Sequence, residues 1–199
     1  MKQGQFYFIK DSYYDKFDQD GTMMDSKGNL HERPCFYAFN DSKYNDIFWC
    51  IPISSKVEKF KDIVQHKLAK QVERGITSPK CSTIRFGKVM GRERAFLIQN
   101  MFPITQPYIS DVYIDKNTKK PITIEHRTER DIVKNAKDVL KLVSHGYKSL
   151  VFSDILKIRD ALIAENASLL QEKEKTKPEA ALDALFGFTC REPDEDLSL

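Results

Sequence analysis

The stretch R-P-C-F-Y-A-F (33–39), followed after a polar turn by I-F-W-C-I-P-I-S-S-K (47–56), decides how this 199-residue chain folds. Two aromatic-rich apolar runs are joined by N-D-S-K-Y-N-D (40–46), which reads as a β-hairpin with a longer polar loop. If the strands pair antiparallel, the start of the first and the end of the second lie side by side. That places a guanidinium (Arg33), two hydroxyls (Ser54, Ser55) and an ammonium (Lys56) together at one end of a small sheet. Such a group can hold a phosphodiester and do acid–base work on it without a metal.

Working outward, F-Y-F-I (6–9) is a short strand, and Asp11 or Ser12 caps a brief helix through Tyr13, Tyr14 and Phe17. Residues 18–32 are polar, with Gly21 and Gly28, and read as a flexible loop. After the hairpin, Phe60, Ile63, Val64, Leu68 and Val72 recur at helical spacing, predicting a helix over 57–74 with Gly75 as its stop. Thr83–Phe86 and Arg94–Ile98 are strands around a turn at 87–91, residues 100–104 end that unit, and 108–114 is a further strand. Thr128 caps a helix over 129–144, and Gly146 follows its end. Ser153 caps another, running to about residue 173. The expected class is α+β: a compact, curved antiparallel sheet or barrel with helices inserted in it and appended after it. Residues 1–175 form the main domain. Residues 176–199 hold a short amphipathic piece (180–188) and an acidic tail expected to be disordered.

The net charge of +3 conceals an asymmetry. Residues 153–199 carry 6 Lys/Arg against 11 Asp/Glu, whereas 54–94 alone carries eleven basic residues against four acidic ones. A basic block in a balanced protein is an electrostatic footprint for nucleic acid, although a solvated helix face gives the same count. Lys59, Lys61, Lys67, Arg85, Lys88 and Arg94 are the candidate nucleic-acid contacts within it. Arg85 and Arg94 lie in strands, where they either face solvent or line a charged groove. No apolar run approaches the ~20 residues of a membrane span. The N-terminal apolar run is too short for a secretory signal, so a cytoplasmic setting is expected. Cys35, Cys50, Cys81 and Cys190 form no C-x-x-C pair, and the four histidines form no H-x-x-x-H, so neither a metal nor a cofactor is expected.

Ser54-Ser55-Lys56 is the sharpest local feature. Its hydroxyls can bond phosphate oxygens and its ammonium can neutralise them. The serines also fit a helix cap, and the two roles are compatible, because a helix start offers free N–H groups to an anion. Tyr13 and Tyr14 can orient a phosphate or stack on a base, or pack a helix on the sheet. His31, near Arg33, is an outside candidate for proton transfer.

With these residues assembled, the chain resembles a known family. F-Y-F-I-K-D-S-Y-Y-D-K-F (6–17) resembles the opening of the ToxN/AbiQ toxins of type III toxin–antitoxin systems, with their CptN and TenpN relatives. The hairpin resembles both these toxins and the wider MazF/Kid (PemK) group, where an R-P strand precedes a strand ending P-x-[TS]-S. R-E-R-A-F-L-I-Q-N-M-F-P-I (92–104) resembles their later strand. The similarity is colinear over roughly residues 5–145. It implies an SH3-like barrel with inserted helices and a metal-independent, sequence-selective endoribonuclease activity. In that activity the ribose 2′-hydroxyl attacks the adjacent phosphate to leave a 2′,3′-cyclic phosphate. It also implies two RNA partners, substrate mRNA and a repetitive antitoxin RNA, with an RNA-bridged homo-oligomer as the matching assembly and no membrane. The resemblance maps catalytic roles onto Tyr13, Arg33, Ser54, Ser55 and Lys56. One departure stands out: ToxN-like toxins carry a lysine just after the proline, where this chain has Cys35. Two rival readings are a MazF/Kid-like ribonuclease with a protein antitoxin and a non-catalytic RNA-binding module.

Overall fold

The computed structural model describes residues 1–18, 21–23 and 33–168. His31, the 175/176 domain boundary and the acidic tail lie outside the described residues. Strands β1 (Phe6–Ile9), β2 (Cys35–Asn40), β3 (Phe48–Ser54), β4 (Arg85–Val89), β5 (Arg92–Phe96), β6 (Phe102–Ile104) and β7 (Ile109–Val112) form one sheet with antiparallel pairings. Helices α1 (Asp11–Phe17), α2 (Val57–Glu73) and α3 (His126–Ser144) are joined by a fourth, α4, which begins at Ile155 and is described to residue 168. Residues 1–162 form one compact unit. Residues 163–199 form a second, described only at 163–168, where it is helical. The expected α+β class is therefore present. The strand path β4-β5-β3-β2-β1-β7 is open at both ends, so its pairings do not close the expected barrel.

The 33–56 hairpin forms the middle of the sheet, with Cys35 opposite Pro52 and Tyr37 opposite Cys50. Five of the six β2 residues are buried. A strand covered on both faces reads as a continuous apolar run rather than as alternation. One face meets α3 and α4: Phe36, Trp49, Ile51 and Phe96 pack with Ile132, Ala136, Val139 and Ile155. On another side, Tyr13 of α1 lies against Phe102 and Tyr108 with ring centroids 5.3 and 5.5 Å apart.

Pro52 explains how β3 serves two partners on one edge. Residues 48–50 pair with β6 and residues 53–54 with β5, leaving 51–52 at the changeover. The Pro52 carbonyl accepts from Leu97 N–H at 3.0 Å, so the position where its missing N–H would point faces the same edge. A strand proline is tolerated where no ladder donor is required, and the gap between β6 and β5 is such a place.

Several boundaries differ from the sequence expectation. The second hairpin runs over Arg85–Val89 and Arg92–Phe96 with a two-residue turn at Met90-Gly91, not a five-residue turn at 87–91. Gly87 is a strand residue paired with Arg94, and a Cβ there would come within 2.6 Å of Thr128 Cγ2. Thr128 lies inside α3, which starts at His126, and does not cap it. Neither Asp11 nor Ser12 caps α1, whose N-cap is Lys10. In α4 the cap is Asp154 and not Ser153: its Oδ1 accepts Lys157 N–H at 3.2 Å, and that bond holds the Asp154 carboxyl below its ordinary range.

Candidate nucleic-acid interface and active site

The antiparallel hairpin brings Arg33 beside the end of β3, as its register requires. Arg33, Ser54, Ser55 and Lys56 all line one cleft of about 960 Å³. Ser54 is buried, and its Oγ accepts the Lys56 N–H at 3.2 Å, which turns the chain sharply out of β3. Ser55 and Lys56 are exposed at that turn. Helix α2 begins one residue later, with Lys56 as N-cap and no side-chain cap. Its first-turn amides have no intrahelical partner and carry the positive end of the helix dipole, so the helix start adds anion-binding capacity. The serines are therefore not the side-chain cap of α2.

Lys59, Arg92, Arg94 and Lys116 also line the cleft, bringing its cationic side chains to six; among the described residues no Asp or Glu lines it. Tyr113 and Met90 also line it, with the apolar side chains of Pro34, Ile53, Phe60 and Val89. Such a surface fits a polyanion whose phosphates are held by guanidinium and ammonium groups. Among the described residues no three His, Cys, Asp or Glu side chains group as a metal site.

The other expected residues lie elsewhere. Tyr13 is fully buried and its hydroxyl donates to the Pro103 carbonyl at 2.6 Å; it does not line the cleft. Burial pushes its ionisation well above the ordinary tyrosine value. Cys35 is also fully buried. Desolvation lifts its thiol to about 12, against the opposing hydrogen bond from Tyr14 and the charge of Arg33, so it brings no charge to the entry of β2. Of the six expected RNA contacts, Lys59 and Arg94 reach the cleft. Lys61 is held between Glu93 and Glu58, both at 3.0 Å, and these bonds raise its pKa. Lys67 donates to Gln99 Oε1 at 2.7 Å and Thr83 Oγ1 at 2.9 Å. Arg85 lines a separate cavity of about 640 Å³, where its Nε is buried without a hydrogen-bond partner. Lys88 is exposed opposite Glu93, on the face of the hairpin away from Arg92 and Arg94.

Sequence reasoning did not single out Arg92, Lys116, Tyr113 or Met90. Arg92 lay inside the basic block and alternates with Arg94 along β5, which puts both on one face. Tyr113 and Lys116 carry no local signal, because the β1–β7 pairing alone brings them to the cleft.

No family profile and no curated protein matches the sequence. Solved structures do match. A bacterial type III toxin (ToxN), whose system shows selective inhibition by a non-coding RNA pseudoknot, aligns over 83% of this chain and 99% of its own, with 15% identity and a TM-score of 0.57. AbiQ, a lactococcal anti-phage endoribonuclease of the type III toxin–antitoxin class, aligns over 83% of this chain and 99% of its own, with 14% identity and a TM-score of 0.53. The described chain has the fold of these type III toxins.

Proposed function

We infer that this protein is the toxin of a type III toxin–antitoxin system: a metal-independent, sequence-selective endoribonuclease held in check by a repetitive antitoxin RNA and serving in phage defence. The observation that carries the reading is the cleft. Six cations, the exposed Ser55 hydroxyl and an uncapped helix start converge there, with no carboxylate among the described lining residues. The fold it shares with AbiQ, described as an endoribonuclease, supports the same reading. An SH3-like relationship to the MazF/Kid group is the finer reading of the fold, supported by the way β3 divides one edge between β6 and β5.

In the reaction, the 2′-oxygen forms a bond to the neighbouring phosphorus as the bond to the 5′-oxygen breaks. The 2′-hydroxyl proton leaves, and a proton is delivered to the departing 5′-oxygen. The products are a 2′,3′-cyclic phosphate and a 5′-hydroxyl end. Arg33 and Lys56 stabilise the charge that grows on the non-bridging oxygens, and Ser55 donates to one of them. Such preorganised donors are worth most where charge develops in the transition state. Ser54 fixes the turn that presents both neighbours, and Lys59, Arg92, Arg94 and Lys116 hold flanking phosphates. RNA serves as substrate and as inhibitor because both present the same backbone to the same cations.

The test is cleavage of mixed cellular RNA by the purified chain in EDTA. Cyclic-phosphate ends are expected, together with loss of cleavage in Ser55→Ala and protection by the repeat RNA from the same locus. RNA binding without cleavage under any condition would return the protein to a non-catalytic binding module.

A further inference from the structure

Phosphate binding does not explain Met90 and Tyr113 on the cleft lining. Met90 and Gly91 form the two-residue turn between β4 and β5, with φ of +50° and +72°. A hairpin turn with positive φ at both central positions favours Asn-Gly or Gly-Gly, because an ordinary side chain is strained there. Met90 nevertheless occupies the first position and leaves 51% of its surface exposed. Its sulfur accepts a weak hydrogen bond from the Tyr113 hydroxyl at 3.7 Å.

Tyr113 is itself firmly placed. Its N–H donates to the Phe6 carbonyl at 2.8 Å and its carbonyl accepts from Ile122 N–H at 3.0 Å. Its ring stands edge-on to Phe8, with centroids 5.4 Å apart and planes at 71°. The pair is thus a fixed aromatic ring beside an adaptable thioether, both on the cleft wall and close in sequence to Arg92 and Lys116. Exposed strain at a turn is a pointer to function when the strained side chain reaches a binding surface.

We propose that Met90 and Tyr113 form a nucleobase platform: one base of the bound RNA stacks on the Tyr113 ring and is flanked by the Met90 thioether, while neighbouring phosphates lie on Arg92, Arg94 and Lys116. The proposal rests on the ribonuclease reading and deepens it. Cations on phosphates position RNA without reading its sequence, whereas a base platform is a place where selectivity enters. Aromatic rings supply stacking to any base, and a thioether adapts to its outline.

The experiment titrates the full chain with a 2′-O-methyl adenine dodecamer carrying one 2-aminopurine, and with the same backbone made fully abasic. The 2′-O-methyl group removes the attacking hydroxyl, so binding is read without cleavage. The wild type is expected to bind the base-bearing oligomer roughly 5- to 150-fold more tightly and to quench the 2-aminopurine fluorescence. Met90→Asn and Tyr113→Leu should each cut that preference at least about fivefold and reduce the quench, with affinity for the abasic oligomer unchanged. Because Asn accepts a positive φ, Met90→Asn should hold or raise Tm, which a packing role for Met90 would not allow. Variants that keep the preference and the quench overturn the platform, as does a wild type that binds both oligomers equally. A wild type that binds neither oligomer removes the ribonuclease reading, and the platform with it.

Discussion

Two hydroxyl-bearing residues show how position decides role. Ser55 is exposed and lines the cleft, while Tyr13 is sealed against Phe102 and Tyr108 with its hydroxyl on Pro103. Ser55→Ala should lower the cleavage rate by roughly 10²–10³-fold, the effect of removing one preorganised donor, with Tm unchanged. Tyr13→Phe should do the reverse. It leaves a buried carbonyl without its donor and costs about 1–3 kcal/mol of stability in urea denaturation, while the folded fraction keeps its specific activity. Loss of cleavage in Tyr13→Phe at unchanged stability would instead give Tyr13 a direct part in the chemistry. Tyrosine supports both a core role and a phosphate-contact role in the sequence, and only the packing of α1 separates them.

At the scale of elements, the approach of α3 to β4 depends on one glycine. Gly87 leaves room for Thr128 Cγ2, and an added methyl would sit 2.6 Å from it. Gly87→Ala should destabilise the protein by about 1–3 kcal/mol, the usual cost of overpacking. Thr128→Ser, which lacks that methyl, should recover most of the loss in the double variant, as read by thermal or urea unfolding. Additive losses would show that the strand conformation, not the contact, requires glycine. Thr128 is also where the expected start of α3 differs from the observed one at His126. Thr128 carries an oxygen and resembles a cap in sequence, but its methyl group is what the sheet uses. In the hairpin, two glycines flanking K-V-M look like a long turn in sequence, whereas the register closes it at Met90-Gly91.

Charge and burial act over the whole molecule. Six cations line the cleft, and each one that displaces a counterion from single-stranded RNA adds about −0.7 to the slope of log affinity against log salt. The slope should approach −4 (about 0.7 for each of six contacts), and Arg94→Ala or Lys116→Ala should each reduce it by about 0.7. Lys61→Ala should leave it unchanged, because Lys61 is engaged by Glu58 and Glu93. Burial also sets the response to alkali. Desolvation raises the Cys35 thiol from 9.0 to about 12 and the Tyr37 hydroxyl from 10.0 to about 12, and lifts Tyr13, Tyr14 and Cys50 in the same direction. Folded values above unfolded ones mean that this stability is fully present below about pH 9 and is lost as pH rises toward 12. Tm should therefore hold steady from neutrality to about pH 9 and then fall. A Tm unchanged between pH 9 and 12 would contradict the burial of these groups.

The sequence by itself determined the α+β class, the central 33–56 hairpin, the helix after it and the meeting of Arg33 with Ser54, Ser55 and Lys56. All of these follow from apolar periodicity and from the register of a single local hairpin. The tertiary structure alone decided which of the basic residues line the cleft, that Tyr13 and Cys35 turn inward, and that Tyr113, Lys116 and Met90 join the cleft. Those outcomes depend on pairings between segments far apart in the chain, such as β1 with β7, and on which face of a strand each charge occupies. A local pattern of residue types does not contain that information.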